Sequence, residues 1–195
     1  QIEGGEFVFE DRSRPAPFKR EIIPIDVSLR DFSLAGGSQA VSFAAATPHG
    51  DTLSWEGSLS LAPLRADGRL AARLLLAGLS EYFGGPSGLP GAVALRGRLQ
   101  WNGGKLQWEL SDGRLQAGTG AGGSFSSTGA LTPAPLNLTL RAALKELELA
   151  PFSGHYPQAA DLKLAKGALS AAFDLQYSPQ GRNGPLLQLA GDASL

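Results

Sequence analysis

The sequence predicts an all-β fold: antiparallel strands built from a repeated unit, with at most short helical turns. Three observations carry this. Apolar and polar residues alternate with period two along most of the chain, the pattern of half-buried strands with one dry and one wet face. Twenty-six glycines and thirteen prolines among 195 residues suit many short connections. A segment of the chain recurs at a constant offset.

Taken in order, the strands read as follows. Ile23, Ile25, Val27 and Leu29 alternate with Pro24, Asp26, Ser28 and Arg30. Leu53, Trp55, Gly57, Leu59 and Leu61 alternate with Ser54, Glu56, Ser58 and Ser60. Leu136, Leu138, Leu140 and Ala142 alternate with Asn137, Thr139 and Arg141, and Leu169, Ala171, Phe173, Leu175 and Tyr177 with Ser170, Ala172, Asp174 and Gln176. Between them, "ADGR" (Ala66–Arg69) and "SDGR" (Ser111–Arg114) carry the Asp-Gly signature of a tight hairpin. "RLQWNGGKLQW" (Arg98–Trp108) reads as a hairpin closed at Asn102-Gly103, pairing Trp101 with Gly104, Leu99 with Leu106 and Gly97 with Trp108. "FDLQYSPQGRNGPLLQL" (Phe173–Leu189) reads as a hairpin with a longer loop. "GLSEYFGG" (Gly78–Gly85) and "APFSGHYP" (Ala150–Pro157) each have room for one helical turn. "LRAALKELELA" (Leu140–Ala150) fits helical spacing in part but continues an alternating run, so it reads as a strand with a bulge near Lys145.

The repeat aligns "GDTLSWEGSLSLAPL" (Gly50–Leu64) with "GGSFSSTGALTPAPL" (Gly122–Leu136), each residue 72 positions from its counterpart (122 − 50 and 136 − 64). Gly50/Gly122, Ser54/Ser126, Gly57/Gly129, Leu59/Leu131, Ala62/Ala134, Pro63/Pro135 and Leu64/Leu136 are identical. The expected organisation is a single β-rich segment, 1–195, with a partial unit over 1–49 and units over 50–121 and 122–195. Repeats of this kind stack edge to edge and bury a continuous apolar face.

Composition narrows the function classes. Hydrophobic residues make up 43% of the chain and charged residues 18%, with a net charge of −1, so the chain is not of disordered type and has no basic field for nucleic acid. With no cysteine, disulfide scaffolds, thiolate metal sites and cysteine nucleophiles are excluded. With no methionine even at position 1, and an opening "QIEGGEFVFE" unlike a signal peptide, the chain reads as a segment excised from a longer protein. Its most apolar window, "LAARLLLAGL" (Leu70–Leu79), falls short of the roughly 18 uninterrupted apolar residues of a membrane span.

Catalytic patterns are weak. His49 and His155 both sit in turn contexts and supply no third metal ligand. No G-x-S-x-G elbow occurs. "EDRSR" (Glu10–Arg14) reads as a solvated turn with internal ion pairs, and "NLT" (Asn137–Thr139) as a chance match to a glycosylation acceptor inside a strand. Trp55, Trp101 and Trp108 could form a stacking platform, but cross-strand packing is the simpler role. "GTGAGG" (Gly118–Gly123) has the G-x-G-x-x-G spacing of a dinucleotide loop, yet the alternating "SFSSTGALT" after it is a strand and not the required helix. It reads as a boundary between β-units. No enzyme, metal or cofactor is expected.

The order of motifs resembles one known group. "GGEFVFEDRSRPAPFKREIIPIDVSLRDFSL" (Gly4–Leu34) resembles a recurring motif of the large AsmA-like envelope proteins of Gram-negative bacteria, through Phe9, Asp11, Ser13, Pro17, Phe18, Leu29, Phe32 and Ser33. Thr47, Gly50, Gly57, Leu59, Pro63 and Leu64 continue the likeness, as do "LELAPFSGHY" (Leu147–Tyr156) and "LAKGALSAAFDLQY" (Leu164–Tyr177). The resemblance implies an elongated, curled antiparallel sheet, a half-pipe or taco with an apolar inner face. It implies a periplasmic setting, in a TamB-like protein anchored in the inner membrane outside this segment, and a role in lipid transport and outer-membrane biogenesis. Two units are too few to bridge two membranes, so the segment belongs to a longer chain on this reading.

Fold and function meet at the apolar stripes. A sheet with one apolar face must cover it by folding on itself, by a partner, or by lipid. A closed sandwich would make the domain structural. A curled open sheet would make a groove for phospholipid or another acyl-chain lipid. The candidate groove-lining residues are Ile23, Ile25, Val27, Leu29, Leu59, Leu61, Leu138, Leu140, Phe173 and Leu175. The alternative is a structural or protein-interaction module whose edges pair with neighbouring β-units or envelope proteins.

Overall fold

The computed structural model describes residues 1–13, 18–30, 37–83, 89–116, 122–150, 167–181 and 184–195. They form eleven strands and one short helix: β1 (Ile2–Asp11), β2 (Phe18–Arg30), β3 (Gln39–Ala46), β4 (Thr52–Leu61), β5 (Leu64–Leu75), α1 (Leu76–Phe83), β6 (Ala92–Asn102), β7 (Lys105–Gln116), β8 (Gly122–Pro133), β9 (Leu136–Glu148), β10 (Ala168–Gly181) and β11 (Gly184–Ser194). All eleven belong to one antiparallel sheet whose strand order is the chain order. The sheet does not close into a barrel, so β1 and β11 are its edges.

In such a meander, connections fall alternately on the two rims of the sheet. One rim carries the tight turns at 62–63, 103–104 and 134–135. The other carries the long connections, 76–91 with α1 and 149–167. Each long connection is closed at its base by an equivalent backbone bond, Leu76 N–H to Gly91 O at 3.0 Å and Leu149 N–H to Gly167 O at 3.0 Å. The repeat is equally visible in the hairpins β4–β5 and β8–β9. Both turn through an Ala-Pro pair with a cis peptide, Ala62-Pro63 and Ala134-Pro135, with Leu61 opposite Leu64 and Pro133 opposite Leu136.

Because directly paired residues share a face, the registers sort the whole sheet. Val27, Phe43, Trp55, Leu70, Gly97, Leu110, Ser127, Ala142, Phe173 and Gly191 lie opposite one another in a row from β2 to β11. One residue along β4 and its partners, the other face runs Glu56, Arg69, Arg98, Glu109, Thr128, Arg141 and Asp174. One face is therefore apolar across the sheet and the other charged or hydroxylated.

The sheet curls toward its apolar face. A Cβ added at Gly57, Gly68, Gly97, Gly113, Gly129 or Gly191 would come within about 2.5 Å of a backbone oxygen of the next strand. All six positions lie on the apolar face, mid-strand, where a neighbouring backbone comes so close that only a hydrogen fits; on the other face Gly122, at the start of β8, is equally confined. The helix gives the direction of the curl. α1 leaves the rim after β5 and touches β2 and β1, three and four strands away, with Tyr82 against Phe18 at 5.1 Å and Phe9 at 6.3 Å between ring centroids. Phe9 and Phe18 are on the apolar face, so α1 folds over that face.

Several expectations are corrected. Asp67-Gly68 and Asp112-Gly113 are not turns. They lie inside β5 and β7, where each glycine leaves room for an aromatic ring, Trp55 over Gly68 and Phe125 over Gly113. Gly113 also adjoins a register shift in β7. The Asn102 hairpin exists, but its turn residues are Gly103 and Gly104, with φ of 58° and 82°. That double left-handed geometry suits a two-residue hairpin turn. Trp101 consequently pairs with Leu106, Leu99 with Trp108 and Gly97 with Leu110. This slides the expected pairing by two, which keeps each side chain on its face. The bulge at Lys145 is present: β9 steps from Leu144 to Leu147 while β10 steps from Ala171 to Leu169, and Glu146 takes φ 54°. The helix begins at Leu76, two residues before the expected Gly78. The second expected helical turn, at 150–157, lies outside the described residues except for Ala150, as do Gly118, Gly120 and His155.

The described residues form no closed core. Among the described residues, the buried apolar side chains are Phe18, Ala45 and Ala92 alone, and no large side chain is fully buried. The chain exposes 13022 Å², where a compact protein of 20.3 kDa would expose about 8,800 Å². The described strands form one layer with no second sheet against it, which leaves much of its area exposed.

Candidate functional site

The candidate site is the apolar, concave face. Registers place Ile25, Val27 and Leu29 of β2, Leu59 and Leu61 of β4, Leu138 and Leu140 of β9, and Phe173 and Leu175 of β10 together on it. None is buried; most are half-covered by their neighbours in the sheet, while Leu61 and Phe173 are 44% and 41% exposed. Ile23 departs from this set. Phe7 pairs with Ile22 and Gly5 with Ile25, so Ile23 and Pro24 form the irregularity between them and Ile22 takes the inward place. Proline has no N–H to give the ladder, and a strand that contains one bulges there.

Sequence reading missed the middle of the face. Val93, Leu95, Leu99 and Trp101 of β6 and Leu106, Trp108, Leu110 and Leu115 of β7 line it as well. Their alternation is legible, but the mistaken turns at Asp67-Gly68 and Asp112-Gly113 obscured it. All three tryptophans lie on this face by register, and two are seen to pack against neighbouring glycines. Trp55 lies over Gly57 and Gly68, and Trp108 over Gly129, its indole N–H donating to Ser127 Oγ at 3.0 Å. Rings laid across glycines present a smooth apolar floor.

Where α1 folds over the rim, Phe9, Phe18 and Tyr82 form an aromatic cluster, and Arg20 lies beside it with its guanidinium carbon 5.3 Å from the Phe18 ring centre. Arg20 pairs with Phe9 and so shares the apolar face. Its Nη2 is 3.6 Å from Glu81 on α1.

The opposite face is held by surface ion pairs. Arg98 donates from Nε to Asp67 Oδ1 at 2.7 Å, with Gln100 donating to Oδ2 at 3.2 Å. Arg98's hydrogen bond holds the Asp67 carboxyl below the usual carboxylate range, and the Asp67 carboxylate raises the Arg98 guanidinium in return. Arg141 donates to Asp174 at 2.7 Å and is raised likewise. Such solvated pairs add little stability each.

Among the described residues, catalytic groups do not converge. Among the described residues no cluster of three or more His, Asp or Glu could hold a metal. His49 is exposed in the turn between β3 and β4. Glu10, expected in a turn, lies in β1 opposite Lys19, where it is exposed and pairs with Arg12 at 2.8 Å. Gly122 and Gly123, which end the dinucleotide-like spacing, begin β8 and pair with Gln116 and Leu115, so a strand follows the glycines. No helix among the described residues is long and apolar enough to cross a membrane. Against known proteins, no family model, no curated protein and no solved structure matches this chain.

Proposed function

We propose that this chain is a non-enzymatic periplasmic segment of an AsmA-like, TamB-like envelope protein, whose curled sheet carries or shields lipid acyl chains in transport between the inner and outer membranes. The observation that carries the reading is the uncovered apolar face. It runs continuously across ten strand-to-strand pairings, and nothing but α1 lies over it among the described residues. At about 25 cal/mol per Å², covering such a face is a strong driving force. An acyl chain meets it without hydrogen-bonding demands, and a groove lined by leucine and aromatic rings accepts chains of varied length. The polar face would keep the loaded segment in water.

The test is native mass spectrometry, with lipid extraction, of protein purified without detergent. Co-purified phospholipid is the expected result. Delipidated protein that takes up no lipid from vesicles would refute the reading.

A second reading is favoured by the edges. β1 and β11 each leave one side of their backbone unpaired, and β11 exposes Leu187 at 67% and Leu189 at 69%. Open edges of this kind pair with further strands. On this reading the chain is a structural module joined to neighbouring β-units or an envelope protein, without lipid. It is distinguished by concentration-dependent self-association that a charged substitution in β11 abolishes.

A further inference from the structure

We propose that Arg20 is the anchor for an anionic lipid headgroup, and that Glu81 of α1 holds its place when the groove is empty; this rests on the lipid reading above. The registers leave the concave face nearly free of charge. From β2 to β11, Arg20 is the one cation they place there among the described residues. The acid that shares its end of the face, Asp11, is engaged with its own turn, accepting from Ser13 N at 2.9 Å and Ser13 Oγ at 2.7 Å.

The setting of Arg20 is that of a held, reachable cation. Its side chain is 17% exposed. The guanidinium lies by Phe18, itself 8% exposed, and rests against the helix backbone where Gly78 leaves room: a Cβ there would sit 2.5 Å from Nη2. Glu81, by contrast, is 66% exposed and stands off at 3.6 Å, beyond hydrogen-bond length. A phosphodiester can accept two parallel N–H bonds from a guanidinium, a better match than a single distant carboxylate. The location is apt as well. Arg20 lies at the rim with the long connections, where a headgroup can stay wet while its chains run along the apolar floor.

The experiment measures binding of fluorescent phosphatidylglycerol and of diacylglycerol with the same acyl chains to the 195-residue protein, with inorganic phosphate as competitor. The parent should prefer phosphatidylglycerol by about tenfold or more, as expected for charge-assisted hydrogen bonds. Arg20→Gln should erase the preference while diacylglycerol binding persists, and Arg20→Lys should retain part of it. Glu81→Gln, which leaves Arg20 in place, should strengthen phosphatidylglycerol binding severalfold without changing that of diacylglycerol.

If Arg20 merely pins α1, Arg20→Gln lowers the melting temperature and weakens both lipids equally, which overturns the anchor. An unchanged preference in Arg20→Gln, or no effect of Glu81→Gln, also overturns it. Phosphate binding that is indifferent to acyl chains would make this a free-phosphate site and overturn the headgroup assignment. Failure of the parent to bind either lipid overturns the lipid reading itself, whereas equal binding of both overturns the anchor alone.

Discussion

Replacing Gly129 by alanine probes the floor of the groove at one atom. An added Cβ would stand 2.2 Å from Cζ2 and 2.6 Å from Cη2 of Trp108, and 2.5 Å from the carbonyl oxygen of Thr139. The ring cannot simply swing away, because its indole N–H donates to Ser127 Oγ at 3.0 Å. Overpacking of this kind costs about 1–3 kcal/mol, and the strained hydrogen bond adds about 1 kcal/mol. The lower entropy cost of ordering alanine offsets about 0.5–1 kcal/mol. A net loss of about 2 kcal/mol is expected, which for a chain of this length lowers Tm by roughly 4–8 °C. Thermal unfolding followed by circular dichroism reads it. In a Trp108→Ala background the ring's share vanishes and the Thr139 contact remains, so the same substitution should cost about 1 kcal/mol less. Gly129→Ala as stable as the parent, or an equal cost in both backgrounds, would refute the packing of Trp108 over this glycine.

Other expectations follow from the same geometry. Leu140→Ala should cost only about 1–1.5 kcal/mol in urea unfolding, below the roughly 2–5 kcal/mol of a packed core, and a larger loss would reveal a second layer over the face. Gly104→Ala forces an L-residue to φ 82° and should lower stability by about 1 kcal/mol, measurable as a shift in the urea midpoint. The Asp67 carboxyl, lowered by Arg98, should titrate below the usual carboxylate range by NMR. Because its folded value is depressed, its contribution is present above the ordinary carboxylate range and fades as pH falls through the lower folded value. The Tm difference between the parent and Asp67→Asn should therefore shrink to nothing in acid, and a difference that grows in acid would contradict the pairing.

How much the sequence discloses varies by element. Strands with an uninterrupted alternation, such as Leu136–Ala142 and Leu169–Tyr177, are legible because period two leaves no other regular structure that separates apolar from polar. The Ala-Pro pairs recur 72 residues apart (134 − 62), but recurrence alone does not say that they turn the chain, and the turns at 62–63 and 134–135 emerge only from the strand pairing. Asp-Gly misleads at 67–68 and 112–113 because the local string is the same whether glycine is needed for a turn or for a ring that lies across it. Only the cross-strand partner decides, and that partner is remote in sequence. The inward position of Arg20 is hidden for a related reason. Counting back by twos from Ile25 puts Ile23 on the face and Arg20 outside, and the irregularity at Ile23-Pro24 reverses that parity. The reach of α1 to β1 and β2 depends on curvature, which no local pattern encodes.

The alternation of β9 allows acyl-chain binding on the apolar face to be read residue by residue. A photoreactive benzophenone side chain is placed in turn at Leu138, Thr139, Leu140 and Arg141, and the protein is irradiated with phospholipid vesicles. Leu138 and Leu140 face the concave floor, while Thr139 and Arg141 face outward. Lipid adducts from 138 and 140, with none from 139 and 141, are the expected result. Adducts from neither pair, or equally from both, would contradict a groove that takes acyl chains on its apolar face.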